Sequence, residues 1–251
     1  MKLLIDLGNT RLKWALGDGA ELHAGGAVAH AGGQSVDFAA LWKDMPNVGA
    51  TWIASVAATA LDAMLAESLR EHCGTAPHFV RSRAESCGVR NAYAQPERLG
   101  VDRFLSLIAA HAHAPQATVI ASCGTALTLD ALAADGTHLG GLIAPAPDLM
   151  RAALLGNTAR LGDVDNARIV ELADNTADAV ESGSWLAAVA LIERFVARAT
   201  SAFGVAPALV LGGGGAPRLA DLIALPLRID AELVLRGLAR YADHAIGTSV
   251  G

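Results

Sequence analysis

Aromatic side chains are scarce in this sequence: 4% of 251 residues, namely five Phe, four Trp and two Tyr. Any core must therefore be filled mainly by Leu, Val, Ile and Ala. Cysteine is scarcer still, with Cys73, Cys87 and Cys123 alone. An odd count without metal-ligand spacing excludes a disulfide framework and suits a reducing compartment. Basic runs are missing: 19 Lys and Arg stand against 25 Asp and Glu, a net charge of −6, which disfavours nucleic acid as a partner. Long apolar runs are missing as well. Although 53% of residues are hydrophobic, no stretch approaches the roughly 20 unbroken apolar residues of a membrane helix. Met1-Lys2-Leu3-Leu4-Ile5-Asp6 reaches an acid too soon for a signal peptide. The expectation is a cytoplasmic protein without a membrane partner, long enough for one large domain or two smaller ones.

What is present is a strand pattern that occurs twice. Residues 2–7 read as a buried strand ending in a glycine turn, Leu12–Leu16 as its hairpin partner, and Glu21–His23 as a third strand after Gly17-Asp18-Gly19. Ala50–Val56 is a further strand, and Thr59–Cys73 a helix with Leu61, Met64, Leu65 and Leu69 on one stripe, stopped by Gly74. His78–Arg81 can be a strand, Asn91–Leu99 is irregular, and Asp102–His113 is a helix. Then strand, small polar glycine turn, strand, Asp-Gly turn and strand return over Thr118–Ser122, Leu127–Leu132 and Leu139–Ile143. Aligning LLIDLGNTRLKWAL with VIASCGTALTLDAL puts Gly8 on Gly124 and Asn9 on Thr125. Ser184–Phe203 is a long helix stopped by Gly204, with Trp185 and Phe195 on its apolar stripe. Ala208–Leu211 is a strand, and Asp230–Ile246 a final helix with Asp230 as N-cap. A repeat of this length predicts two related α/β domains with a cleft between them, residues 1–115 and 116–251.

The chemistry-bearing residues gather at the glycine turns. A glycine after a buried strand lets backbone approach a ligand, and successive N–H groups there can cradle phosphate. Around Gly8 the turn adds Asn9 and Thr10, Lys13 as a cation and Asp6 as a candidate Mg2+ carboxylate; a plain hairpin is the alternative. Gly124-Thr125 repeats the arrangement, and Gly212–Gly215 is either a nucleoside contact or a flexible loop. No Walker A sequence competes. Leu99-Gly100-Val101-Asp102-Arg103 places a carboxylate at a helix start, either a general base with an anion-binding Arg or a helix cap with a surface cation. Cys123 lacks an evident His partner for a nucleophilic role. Asp130 reads as a structural acid of an edge strand, and His111 and His113, two apart on a helix, as surface histidines. Two phosphate turns and a glycine turn in repeated α/β domains are the pattern of the superfamily that holds actin, sugar kinases and heat-shock chaperones.

The order Asp6-x-Gly8-Asn9-Thr10 with Lys13, Tyr93, Gly100-x-Asp102-Arg103, Gly124-Thr125-Ala126, Gly140-Gly141-x-Ile143-x-Pro145 and Asn175-Thr176 resembles type III pantothenate kinase over essentially the whole chain. The resemblance implies two ribonuclease-H-like domains of the actin-like ATPase fold, and ATP-dependent phosphorylation of the primary hydroxyl of pantothenate on the way to coenzyme A. It implies ATP binding by Asp6, Leu7, Gly8, Asn9, Thr10, Arg11, Leu12, Lys13 and Thr125. Tyr93, Gly100, Val101, Asp102, Arg103 and Thr176 would contact pantothenate, with Asp102 as the base. Mg2+ would sit at Asp6, directly or through water, and the enzyme would be a homodimer. Three positions depart from the family. Ser122 stands where the family carries the aspartate of a K+ or NH4+ site. Its Pro-Gly is Pro145-Ala146 here, and its Leu-Pro is Leu161-Gly162. A phosphohydrolase and a non-enzymatic regulator of the same fold are the rival readings.

Overall fold

The computed structural model describes residues 1–19, 21–30, 36–43, 45–74, 76–158 and 166–248. Leu161-Gly162 lies outside the described residues. The chain forms two compact units: Met1–Pro115 with Asp135–His138 and Glu232–Gly251, and Gln116–Ala134 with Leu139–Ala231.

Unit 1 is built on a five-stranded sheet. Its strands are β1 (Lys2–Leu7), β2 (Arg11–Asp18), β3 (Glu21–Ala29), β4 (Ala50–Ser55) and β5 (His78–Phe79), in the order β3-β2-β1-β4-β5. β1 runs antiparallel to β2 and parallel to β4. This central position explains why β1 is apolar without alternation: a strand covered on both faces has no solvent side to mark with polar residues. Leu3, Ile5 and Leu7 pack with Ile53, Leu65 and Leu69 on one face. That face is covered by α1 (Phe38–Trp42) and α2 (Thr59–Cys73). α2 ends on Gly74 at φ 65°, a left-handed cap that glycine adopts without strain. Met64, placed by its spacing on the apolar stripe of α2, is instead 53% exposed. The hairpin β6 (Glu85–Ser86) and β7 (Val89–Arg90), a 3-10 turn at Pro96–Arg98 and α3 (Val101–His113) follow. The 13-residue α3 buries nine residues, Val101 and Arg103 through Ala110, with Asp102 half-buried between them.

Unit 2 repeats the plan. Its strands are β8 (Thr118–Cys123), β9 (Ala126–Leu132), β10 (His138–Pro145, whose first residue belongs to unit 1), β11 (Ala208–Gly212) and β12 (Leu227–Ile229), in the order β10-β9-β8-β11-β12. β8 is antiparallel to β9 and parallel to β11. Val119, Ala121 and Cys123 of β8 and Leu209 and Leu211 of β11 turn alternate side chains to one core. That core is closed by α5 (Thr176–Phe203), which contributes Trp185, Ala188, Ile192 and Val196, and by α6 (Ala216–Ala220). α4 (Pro147–Asn157) precedes α5. The Asn175 side chain accepts the Asp178 N–H and so caps α5 eight residues earlier than its apolar stripe suggests. Trp185 is core, and Phe195 packs partly buried against it. Strand order is the same in both units, and so are the antiparallel β1–β2 and β8–β9 pairs and the parallel pairs beyond them, each sheet ribonuclease-H-like as in the actin-like ATPase fold.

The last helix, α7 (Leu233–Thr248), packs in unit 1 against α3, although the sequence division groups it with residues 116–231. The reason is steric: Gly237 meets the α3 backbone so closely that a Cβ there would come within 1.9 Å of the Leu105 carbonyl oxygen. Asp230 lies outside this helix. Its N–H donates to Leu211 O at 2.9 Å and its carboxylate receives Arg228 at 3.3 Å, three residues before α7 starts. Asp130 is buried in β9 between β8 and β10, so it is not on an edge strand. His111 is half-buried rather than on the surface, and its Nδ1 is enclosed.

Gly237→Ala should therefore destabilise the protein by about 1–3 kcal/mol, the range for an overpacked contact. Gly183→Ala, in the interior of α5 with open space around the new methyl, should stabilise it by about 0.5–1 kcal/mol. Denaturant titration of both variants checks the pair, and equal effects would contradict the packing described.

Candidate active site

The turn after β1 is closed by a hydrogen bond from Gly8 N–H to Arg11 O at 3.0 Å, and His30 bonds Gly8 O at 2.9 Å. Thr10 O accepts the His30 N–H at 2.9 Å. The Gly8 N–H is thus engaged within the turn, and what the turn presents outward is Asn9, Thr10 and Arg11, all exposed. Leu7 and Leu12 are fully buried in the core, so only their backbone can face a ligand. Asp6 and Lys13 are cross-strand partners on the β1–β2 ladder, which puts both side chains on one face of the sheet.

Asp102 lies in the first turn of α3, where an acid is favoured by the exposed N–H groups of the helix start. The N-cap is Gly100, not Asp102, and no side chain fulfils the capping bond. A Cβ at position 100 would come within 2.5 Å of Asp102 Oδ1, so any other residue there would make that carboxylate shift. The glycine leaves room for the carboxylate of Asp102 itself. Val101 is buried and anchors the turn. Arg103 is 5% exposed, which removes the surface-cation alternative. Its Nη1 donates to the Tyr93 hydroxyl at 3.1 Å, with the guanidinium carbon 5.8 Å from the ring centroid. Tyr93 is half-buried and stands beside His138, a residue that the sequence reading did not single out. The pairing spans 45 positions and leaves no local signal.

These groups share one electrostatic environment within unit 1. Burial and then the charge of Asp102 raise the Asp6 pKa to about 7, with Lys13 opposing them only in part. Asp6 is half-buried as a residue. Two neighbouring carboxylates with an ionisation cost are a donor set that suits Mg2+, which binds through one or two carboxylates plus substrate phosphates. Among the described residues no cluster of three or more His, Cys, Asp or Glu side chains is placed to hold a metal.

In unit 2, Gly124 N–H donates to Ala126 O at 3.0 Å, and Thr125 is exposed with its carbonyl accepting Ala146 N–H at 3.4 Å. Ser122 is half-buried in β8 opposite Gly212 and Thr128. The glycine loop is packed, not loose: Gly215 N–H donates to Cys123 O at 2.9 Å, and a Cβ on Gly213, at φ 81°, would fall 2.3 Å from that same oxygen. Cys123 is no nucleophile, because burial and then Asp148 push its thiol up to about 11. All three cysteines are free thiols. Thr176 is the first residue of α5 and lines a groove of about 790 Å³ with Met150, Leu154, Val180 and Ser184. Asp178, also missed by sequence, is buried below it. Its carboxylate receives Arg168 N–H at 2.7 Å, Asn175 Nδ2 at 3.0 Å and the Arg168 guanidinium at 2.7 Å, and these hydrogen bonds hold its pKa down to about 2.

The raised Asp6 pKa has a sign that can be checked. A carboxylate harder to ionise in the fold contributes stability that is fully present below its unfolded pKa of 3.8 and is lost as pH rises through about 7. Asn cannot ionise. Asp6→Asn should therefore gain Tm over the parent progressively from about pH 4 to about pH 7 in the absence of divalent cation, and added Mg2+ should raise Tm for the parent alone. A Tm difference that is flat across that range would contradict the assignment.

The family model for type III pantothenate kinase matches residues 2–198. A type III pantothenate kinase from Xanthomonas campestris pv. campestris (strain 8004) is 44% identical over 242 residues, covering 96% of this chain and 97% of that protein. Among solved structures, a conserved protein assigned to the Baf family of transcriptional activators from Campylobacter jejuni gives a TM-score of 0.63 at 18% identity, covering 98% of this chain and 99% of that one. The activator of the 2-hydroxyisocaproyl-CoA dehydratase from Clostridium difficile, solved with bound ADPNP, gives 0.56 at 14%, covering 99% and 97%. The structural likenesses establish the actin-like fold alone. With the family model matched over most of its length and its sequence shared at this level across nearly all of it, the chain belongs to the type III pantothenate kinase family.

Proposed function

We propose that this protein transfers the γ-phosphoryl group of ATP to the primary hydroxyl of pantothenate, the first step towards coenzyme A. The observation that carries the reading is the arrangement in unit 1. Asp102 is fixed at the start of α3, next to a buried Arg103 bound to Tyr93, and within electrostatic reach of Asp6. Phosphoryl transfer to an alcohol needs a carboxylate to accept the hydroxyl proton, a cation to orient an anionic substrate, and little covalent chemistry from the protein. In this reading Asp102 takes the proton while the hydroxyl oxygen bonds to the γ-phosphorus and ADP leaves. Arg103 and Tyr93 orient pantothenate with Gly100 and Val101, and Asn9, Thr10, Arg11 and Lys13 meet ATP. By their place in the family pattern, Thr125 is a further candidate for ATP and Thr176 for pantothenate.

Asp6 is the residue that would hold Mg2+, directly or through water, and the ion would offset charge on the ATP phosphates. A K+ or NH4+ ion would have to rely on backbone carbonyls near Ser122, since that side chain brings no formal charge. A homodimer belongs to the same proposal. It is supported by apolar side chains on the surface of unit 2, Leu142 at 44%, Ile143 at 65% and Leu172 at 93% exposure. No helix among the described residues is long and apolar enough to cross a membrane.

Asp102→Asn keeps the shape and removes the base. It should lower kcat by about 10²- to 10⁴-fold, the usual contribution of a general base, with ATP affinity changed by less than about threefold. Steady-state kinetics with an ATP-binding titration would show this, and turnover within a few-fold of the parent would remove Asp102 from the chemistry.

A further inference from the structure

His138 is the first residue of β10 and is 1% exposed. Its ring lies 6.2 Å from that of Tyr93, centroid to centroid and 15° from parallel, an offset stack. Its Nδ1 accepts the Ala92 N–H at 3.4 Å, which places the ring proton on Nε2. The stretch that carries Tyr93 has neither helix nor strand between β7 and the turn at Pro96. Asn91 orders its backbone, with Oδ1 accepting the Tyr93 N–H and Nδ2 donating to Pro96 O, each at 3.0 Å. Those bonds do not orient the phenol ring. The ring's direction is set by its neighbours, the His138 imidazole and the Arg103 guanidinium.

His138 is itself well held. Arg90 N–H donates to Gly136 O at 2.9 Å, and the Arg90 guanidinium bonds Asp135 and Thr137. Gly136, at φ 84°, packs so tightly that a Cβ would fall 1.9 Å from Gly88 O. The segment 135–138 is thus a rigid arm, fixed to β7, that delivers one aromatic ring to the side of Tyr93.

We propose that His138 is a positioning residue for the acceptor substrate. It holds the Tyr93 ring at the angle from which the hydroxyl meets both Arg103 and pantothenate, and so sets pantothenate affinity rather than the rate of phosphoryl transfer. This rests on the functional reading above. The test compares the parent with His138→Ala, His138→Phe, Tyr93→Ala and the double variant His138→Ala/Tyr93→Ala, measuring kcat and both KM values.

His138→Ala should raise KM for pantothenate about tenfold, the worth of one aromatic stack with a hydrogen bond, leaving kcat and KM for ATP within about twofold. His138→Phe keeps a ring and should recover most of the loss. In the Tyr93→Ala background, His138→Ala should add less than about twofold, because the residue it acts through is gone. If His138→Ala does not fold, His138→Leu fills the space without a ring and carries the same expectations. An unchanged KM for pantothenate in an active enzyme, an equal rise in KM for ATP, or a full additive effect without Tyr93 would each overturn the proposal. A parent protein inactive on pantothenate would overturn the functional reading with it.

Discussion

Burial of Asp6, and then the charge of Asp102 beside it, make that carboxylate hard to ionise, and elements with little freedom hold both groups in place. Asp6 sits on the central strand of a five-stranded sheet, whose neighbours fix it on both sides. Asp102 is fixed by the first turn of α3, with its carboxylate folded over Gly100. α3 in turn is pinned against α7 at Gly237. Lys13, across the ladder, offsets only part of the cost. A free protein therefore carries an ionisation penalty that a proton or a divalent cation removes, and a rigid scaffold keeps that penalty for ligand binding instead of losing it to relaxation. The same rigidity extends outward from Asp102 through Arg103 to Tyr93 and His138.

The duplicated plan makes the asymmetry of the two units informative. Both sheets have the same strand order, yet the charged pair of the first, Asp6 opposite Lys13, becomes Ser122 opposite Thr128 in the second. The turns differ too. Leu7 pairs with Leu12 around residues 8–11, whereas Cys123 pairs with Leu127 around residues 124–126, one residue fewer. An ungapped alignment through both turns matches the glycines but slips by one residue afterwards, and a one-residue slip exchanges the faces of a strand. Lys13 consequently has no charged counterpart at its structural position.

Much of this was legible in the sequence. β1, α2, β8 and β11 follow from apolar runs and glycine stops, because local pattern determines them. Asp102 and Arg103 stand out by type and spacing, yet the burial of Arg103 and the true reason for Gly100 depend on where Tyr93 and the Asp102 carboxylate lie in space. The first two turns of α5 were missed because its cap, Asn175, precedes residues, Asp178 and Ser182 among them, that show no apolar period. α7 was placed with the wrong neighbours because a helix–helix contact at a glycine leaves no periodic mark. His138 and Asp178 have partners that proximity in sequence does not reveal as a unit.

The central claim, that the carboxylates of unit 1 serve phosphoryl transfer to pantothenate, is tested most directly by phosphorus NMR of the protein with ATP and Mg2+, with and without the vitamin. The account predicts a new phosphomonoester resonance growing in step with ADP only when pantothenate is present. Free phosphate accumulating at the same rate without pantothenate would contradict it and make the protein a hydrolase.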